Sequence, residues 1–161
     1  MWKSAVLIAI LGLIGPLTGT AEAANGRCSV NEAVYHADSQ AELASETTAF
    51  TDMPGVSVNF VQGGTATGCA IVTFSAESSS PAGMPTGFTM QVRPILDDDV
   101  KSVPASTDFA ANDPDLFTTR TATFVFRSVS PGSHTIRMQF RTVPAAHSEI
   151  GAHTLVVQHQ R

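Results

Sequence analysis

The sequence predicts an all-β protein: an antiparallel two-sheet sandwich, jelly-roll-like in one of its forms, preceded by a cleavable N-terminal signal helix. Three observations carry that expectation. Apolar and polar side chains alternate in short runs, and Gly, Pro, Asp and Ser separate those runs. No long segment after the N-terminus keeps a 3.6-residue apolar period with caps at its ends. Ala33 to Ser45 comes closest, but its apolar content is mostly alanine. Strands are expected over 28–36, 46–52, 56–62, 67–77, 87–97, 119–128, 133–143 and 152–159. Such spacing suits a sandwich, with a closed barrel as the main rival.

The N-terminus is written as an export signal. Met1-Trp2-Lys3-Ser4 is a short basic start, Ala5 to Ile14 is apolar, and Gly15-Pro16 breaks the run. Ala21-Glu22-Ala23 supplies small residues where a signal peptidase reads, so cleavage is expected before Ala24. The apolar run is about half of the roughly twenty residues that span a bilayer. Residues 1–23 are thus expected to be a signal peptide and 24–161 a single β-sandwich domain, secreted or periplasmic, with no stable membrane anchoring after cleavage. The net charge of −5 argues against nucleic acid as a partner, because phosphate binding needs a surplus of Lys and Arg.

The only two cysteines, Cys28 and Cys69, are expected to form a disulfide, as an even count in an exported protein favours. Closing that loop of about 42 residues would stabilise the fold by roughly 4 kcal/mol in the chain-entropy model. The strand beginning at Cys69 places Ala70, Val72, Phe74 and Ala76 on one face. Phe88, Met90 and Val92 do the same in the next strand, until Pro94 demotes its end to an edge or bulge. Polar connections follow at Glu77 to Thr86 and at Asp97 to Thr118, the second without regular structure of its own and therefore a candidate functional loop.

The clearest alternation lies at 119–143. Ala122, Phe124 and Phe126 share one face, and Ile136, Met138 and Phe140 share another. With Val129-Ser130-Pro131-Gly132-Ser133 as a turn, the two runs are expected to form a hairpin in which Phe126 meets Ile136 and Phe124 meets Met138. His134 would then lie opposite Ser128, closing the end of the ladder and bonding a turn carbonyl. Thr121, Thr123, Thr135, Arg137, Gln139 and Arg141, with Arg127 nearby, would form one polar stripe on the hairpin's outer face. Arg127, Arg137, Gln139 and Arg141 are the candidate binding residues there, since guanidinium and amide groups receive carboxylates or acidic glycans.

Asp97, Asp98, Asp99, Asp113 and Asp115 are candidate calcium ligands, though their spacing matches no EF-hand and a solvated turn explains them as well. The five histidines share no metal spacing, and His147 and His153 are expected to flank a turn at Gly151. There is no GxSxG, no zinc arrangement around either cysteine, and no helix after Gly63-Gly64 to hold a phosphate. No cofactor and no catalytic residue is assigned.

The run "TFVFRSVSPGSHTIRMQFRT", with "HTLVVQH" and "CAIVTFSAES", resembles a group of exported bacterial β-sandwich proteins with a PGSHTIRMQFR-type C-terminal hairpin. That resemblance implies a fold and an exported location, and carries over no activity and no functional residue. The expected function is a small exported binding or adhesion-type module, whose partner is a cell-surface protein or a glycan. The alternatives are a structural protein that forms homo-oligomers through an open sheet edge, and, last, an enzyme with no legible motif.

Overall fold

The computed structural model describes residues 28–38, 42–79, 88–110 and 117–161. The expected signal peptide and two of the candidate calcium ligands, Asp113 and Asp115, lie outside them. Among the described residues ten strands make two antiparallel sheets: β1 Glu32–Asp38, β2 Leu43–Ser45, β3 Thr51–Gln62, β4 Gly68–Ser79, β5 Thr89–Leu96, β6 Ser102–Val103, β7 Thr107–Ala110, β8 Thr118–Val129, β9 Gly132–Val143 and β10 Ser148–His159. One sheet has the order β1-β10-β4-β8-β6, with β2 also paired to β10. The other has the order β3-β9-β5-β7.

That order is a jelly roll. β1 pairs with β10, β3 with β9, β4 with β8 and β5 with β7, as if the chain were folded in half and the resulting ribbon rolled into two layers. Most paired strands are therefore far apart in sequence, and from β2 onward neighbours in sequence lie in opposite sheets.

The expected 119–143 hairpin is accordingly not formed. β8 and β9 have the predicted apolar faces, but they belong to different sheets. Phe126 pairs with Ala70 and Ser102, while Ile136 pairs with Val58 and Leu96. The chain crosses between layers at 128–132, with Ser128 (φ 60°) and Gly132 (φ 130°) in the left-handed region. Alternation tells which side chains are buried, and here both strands bury theirs in the same core from opposite sides. A hairpin and a crossing between sheets write the same pattern.

Phe74, Phe124 and Phe126 from the first sheet meet Met90, Ile136, Met138 and Phe140 from the second, all at most 2% exposed. Each such side chain contributes roughly 1.5–3 kcal/mol on burial. Cys28 and Cys69 are disulfide-bonded, with Cα atoms 5.5 Å apart, tying the segment before β1 to β4. Pro94 keeps its β9 pairing opposite Met138 but lies beyond the part of β5 that β7 covers. Its missing N–H thus faces a locally open edge, as expected.

Two other expectations are corrected. The 97–118 connection is not structureless, because it contains β6 and β7. His147 and His153 do not flank a turn at Gly151: that glycine sits inside β10, where a bulge shifts the register between Ile150 and His153.

Candidate functional site

The outer faces of the two sheets differ, and the chemistry is concentrated on the β3-β9-β5-β7 side. Period 2 sends Thr135, Arg137, Gln139 and Arg141 of β9 outward, together with Gln91 and Arg93 of β5 and Asn59 of β3. The pairing of β9 with β5 sets Arg141 opposite Gln91 and Gln139 opposite Arg93.

Arg137 is neutralised. Its guanidinium bonds the carboxylates of both Asp52 and Asp98. Asp52 also accepts from Gln139 Nε2 at 2.7 Å. Arg93 and Arg141 are different: each donates to an amide oxygen. Arg93 Nε reaches Gln139 Oε1 at 2.9 Å, and Arg141 donates through Nε and Nη2 to Gln91 Oε1 at 2.9 and 2.7 Å. Gln91 in turn donates to Asp108 at 2.8 Å. Among the described residues no carboxylate lies within ion-pair distance of Arg93 or Arg141.

Both cations share one aromatic ring. The guanidinium carbons of Arg93 and Arg141 stand 4.0 and 4.5 Å from the Phe50 ring centroid. Burial, and then the neighbouring charge of Arg141, push the Arg93 pKa below its ordinary value. The pair is thus a concentrated positive site on a chain of net charge −5, held by amides and a π-face rather than by counter-ions.

The expected single polar stripe is split. Thr121 and Thr123 lie on the outer face of the other sheet with Arg127, while Thr135, Arg137, Gln139 and Arg141 lie here. Of the four candidate binding residues, the fold brings together Arg137, Gln139 and Arg141 and puts Arg127 on the opposite side of the sandwich. Arg93 and Phe50 were missed. The alternation through Met90, Val92 and Arg93 signals that Arg93 faces outward, but nothing in the sequence places it beside Arg141.

The aspartate run forms a tight turn after β5. Leu96 and Asp99 exchange backbone hydrogen bonds of 3.1 and 2.8 Å, and Asp97 (φ 47°) and Asp98 (φ 75°) both take left-handed conformations. The three carboxylates go to three different side chains: Asp97 to His134, Asp98 to Arg137 and Asp99 to Lys101. They do not converge, and among the described residues no group of three His, Cys, Asp or Glu side chains is arranged to hold a metal ion.

His134 is a structural clasp. It pairs with Phe60 rather than lying opposite Ser128. Its Nδ1 is 2.5 Å from Asp97 Oδ2 and its Nε2 is 2.7 Å from the Ser130 carbonyl, so it does bond the turn. Burial favours the neutral Asp97, but the bonds from His134 and from the Thr135 N–H outweigh it and lower the carboxyl's pKa. Both ring nitrogens are occupied by acceptors, and the serine contributes its carbonyl, so this is not a nucleophile–base arrangement.

His147 is held between Glu149 at 2.8 Å and Glu46 at 2.9 Å, which raises its pKa. It thereby ties the segment after β2 to β10. Among the described residues no helix is long and apolar enough to cross a membrane.

No family model matches the chain, and no curated protein does. Several solved structures are similar, two of them as follows, both at low identity. One is dimeric latent PorU from Porphyromonas gingivalis: 8% identity, TM-score 0.43, covering 83% of this chain and 13% of that one. The other is infectious bursal disease virus, Gt strain: 18% identity, TM-score 0.46, covering 99% of this chain and 40% of that one. The chain therefore spans well under two thirds of either.

Proposed function

We propose that this chain is an exported binding module that takes a carboxylate-bearing glycan on the outer face of the β3-β9-β5-β7 sheet. The observation that carries this reading is the Arg93–Phe50–Arg141 cluster, two guanidiniums on one ring with no carboxylate partner among the described residues. Like charges so placed repel one another, and a bound carboxylate relieves that cost while accepting the N–H groups that Gln91 and Gln139 leave unused. Asn59, Thr135, Gln91 and Gln139 set amides and hydroxyls in the same face, suited to the hydroxyls of an extended sugar chain. The export expected from the N-terminus agrees with the disulfide, which forms in oxidising compartments.

Calorimetric titration with an oligogalacturonate tests the proposal, with a neutral oligosaccharide of the same length as control. The acidic chain is expected to bind and the neutral one not. Arg93→Ala and Arg141→Ala should each weaken binding about tenfold or more, the equivalent of about 1.4 kcal/mol. Equal binding of both sugars, or retention of full affinity by both variants, overturns it.

A further inference from the structure

The other sheet carries the opposite surface. Its outward side chains line up in three rows fixed by the register: Ala33, Gln158, Ile71, Val125 and Val103; then Tyr35, Val156, Thr73 and Thr123; then Ala37, Thr154, Ser75 and Thr121. None of these side chains is charged. Tyr35 is 75% exposed and Val103 53%, the first standing at one edge of the face and the second at the other. The hydroxyls of Ser75 and Thr121 satisfy each other at 2.8 Å, so the strip's polar groups are already partly spent within the face. Depletion of charge with an aromatic on the surface is the composition of an interface core.

Charge returns only beyond the rows, and with opposite sign at the two ends. Glu77 of β4 lies four residues past Thr73, and Arg127 of β8 lies four residues past Thr123 in the other direction. Both are exposed. The Tyr35–Val156–Thr73–Thr123 row is therefore the midline between a negative and a positive flank.

We infer that this face pairs with the same face of a second copy about a two-fold axis running along the Tyr35–Thr123 row. Rotation about that axis turns each strand end for end. It lays the Glu77 end of one copy over the Arg127 end of the other, twice, and brings the two Tyr35 rings together at the axis. A two-fold axis along the strands would instead stack Glu77 on Glu77 and Arg127 on Arg127. The charge pattern is self-complementary in one orientation only. The face suffices in size: four strands about 4.8 Å apart and eight residues of about 3.3 Å give a footprint on the order of 500 Å², or about 1,000 Å² over both copies, the lower bound for a specific interface. Pairing leaves the arginine faces of the two copies pointing in opposite directions, so the assembled module is two-sided.

Sedimentation equilibrium of the exported chain decides it. The expected mass is twice that of one chain, at micromolar concentration. Tyr35→Asp places two carboxylates at the axis and should weaken association about 30-fold or more, as loss of an interface hot spot does. Because Tyr35 is exposed in the single chain, the variant should keep the melting behaviour of the monomer. Glu77→Arg and Arg127→Glu should each weaken association, and the double variant should restore it, a result that a merely misfolded protein does not give. A monomer at the highest concentrations, or a dimer indifferent to Tyr35→Asp and to both charge reversals, overturns the inference. Neither outcome touches the sugar titration, whose variants lie on the opposite face.

Discussion

The two outer faces of the sandwich share a core and little else. On the β3-β9-β5-β7 face, charged and amide groups are cross-linked from Asp98 through Arg137, Asp52, Gln139 and Arg93 to Phe50, Arg141, Gln91 and Asp108. On the β1-β10-β4-β8-β6 face, three successive rows hold no charge at all. Burial pressure acts on the inner faces of both sheets alike, so it cannot account for the contrast. Outward positions of a sheet are free to carry whatever the surroundings of the protein demand. The contrast is what the two proposals rest on: one side has the make-up that suits a charged, hydrated ligand, and the other the make-up that suits a flat protein surface.

The largest expected effects test the shared core. Phe124 lies in one sheet and Phe140 in the other, and both are buried to within 2%. Phe124→Ala and Phe140→Ala should each cost about 3–5 kcal/mol in denaturant melts, with no preference between the layers. A marked inequality would mean that the sheets do not share one core, and the comparison of their outer faces would lose its basis.

Smaller effects sharpen the contrast within the polar face. Arg137 holds two carboxylates and, among the described residues, Arg93 holds none. Arg137→Ala should cost about 1 kcal/mol, the upper end for an exposed ion pair, because it takes the arginine from Asp98 and leaves Asp52 with Gln139 alone. Arg93→Ala should leave stability within about 0.5 kcal/mol of the parent, since it also removes a like-charge neighbour of Arg141. Equal penalties for the two would remove the distinction on which the anion site rests.

The smallest effects are pH-dependent. Asp97 has a lowered pKa in the fold. Its contribution is present above the ordinary carboxylate range, near pH 4, and is lost as pH falls through the lower folded value. His147 has a raised pKa, so its contribution is full below about pH 6.5 and fades as pH rises through the folded value. Both groups are well exposed, so each contribution should stay below about 1 kcal/mol. Melting curves of Asp97→Asn against pH should lose the acid-side slope that the parent shows, and those of His147→Gln the neutral-to-basic one.

Much of this was legible in the sequence, and the limit is physical. Side-chain alternation identified the buried faces of β4, β5, β8 and β9, and so the outward direction of Arg137, Gln139 and Arg141. It could not identify partners, because a strand's period of 2 is the same whichever strand lies beside it. In a jelly roll the partners are distant, and the sequence neighbours β8 and β9 oppose each other across the core. The hairpin expectation failed there, and the single polar stripe failed with it. Arg93 and Phe50 come next to Arg141 only through the β5–β9 register and the approach to β3, which no local signal encodes. The disulfide was legible because two cysteines allow only one pairing within the chain.

A backbone-amide NMR titration with oligogalacturonate tests the division of the two faces most directly. Shifts are expected at residues 50, 91–93 and 139–141, with none along the Tyr35–Val156–Thr73–Thr123 row. Shifts confined to that row, or spread evenly over both sheets, would contradict it.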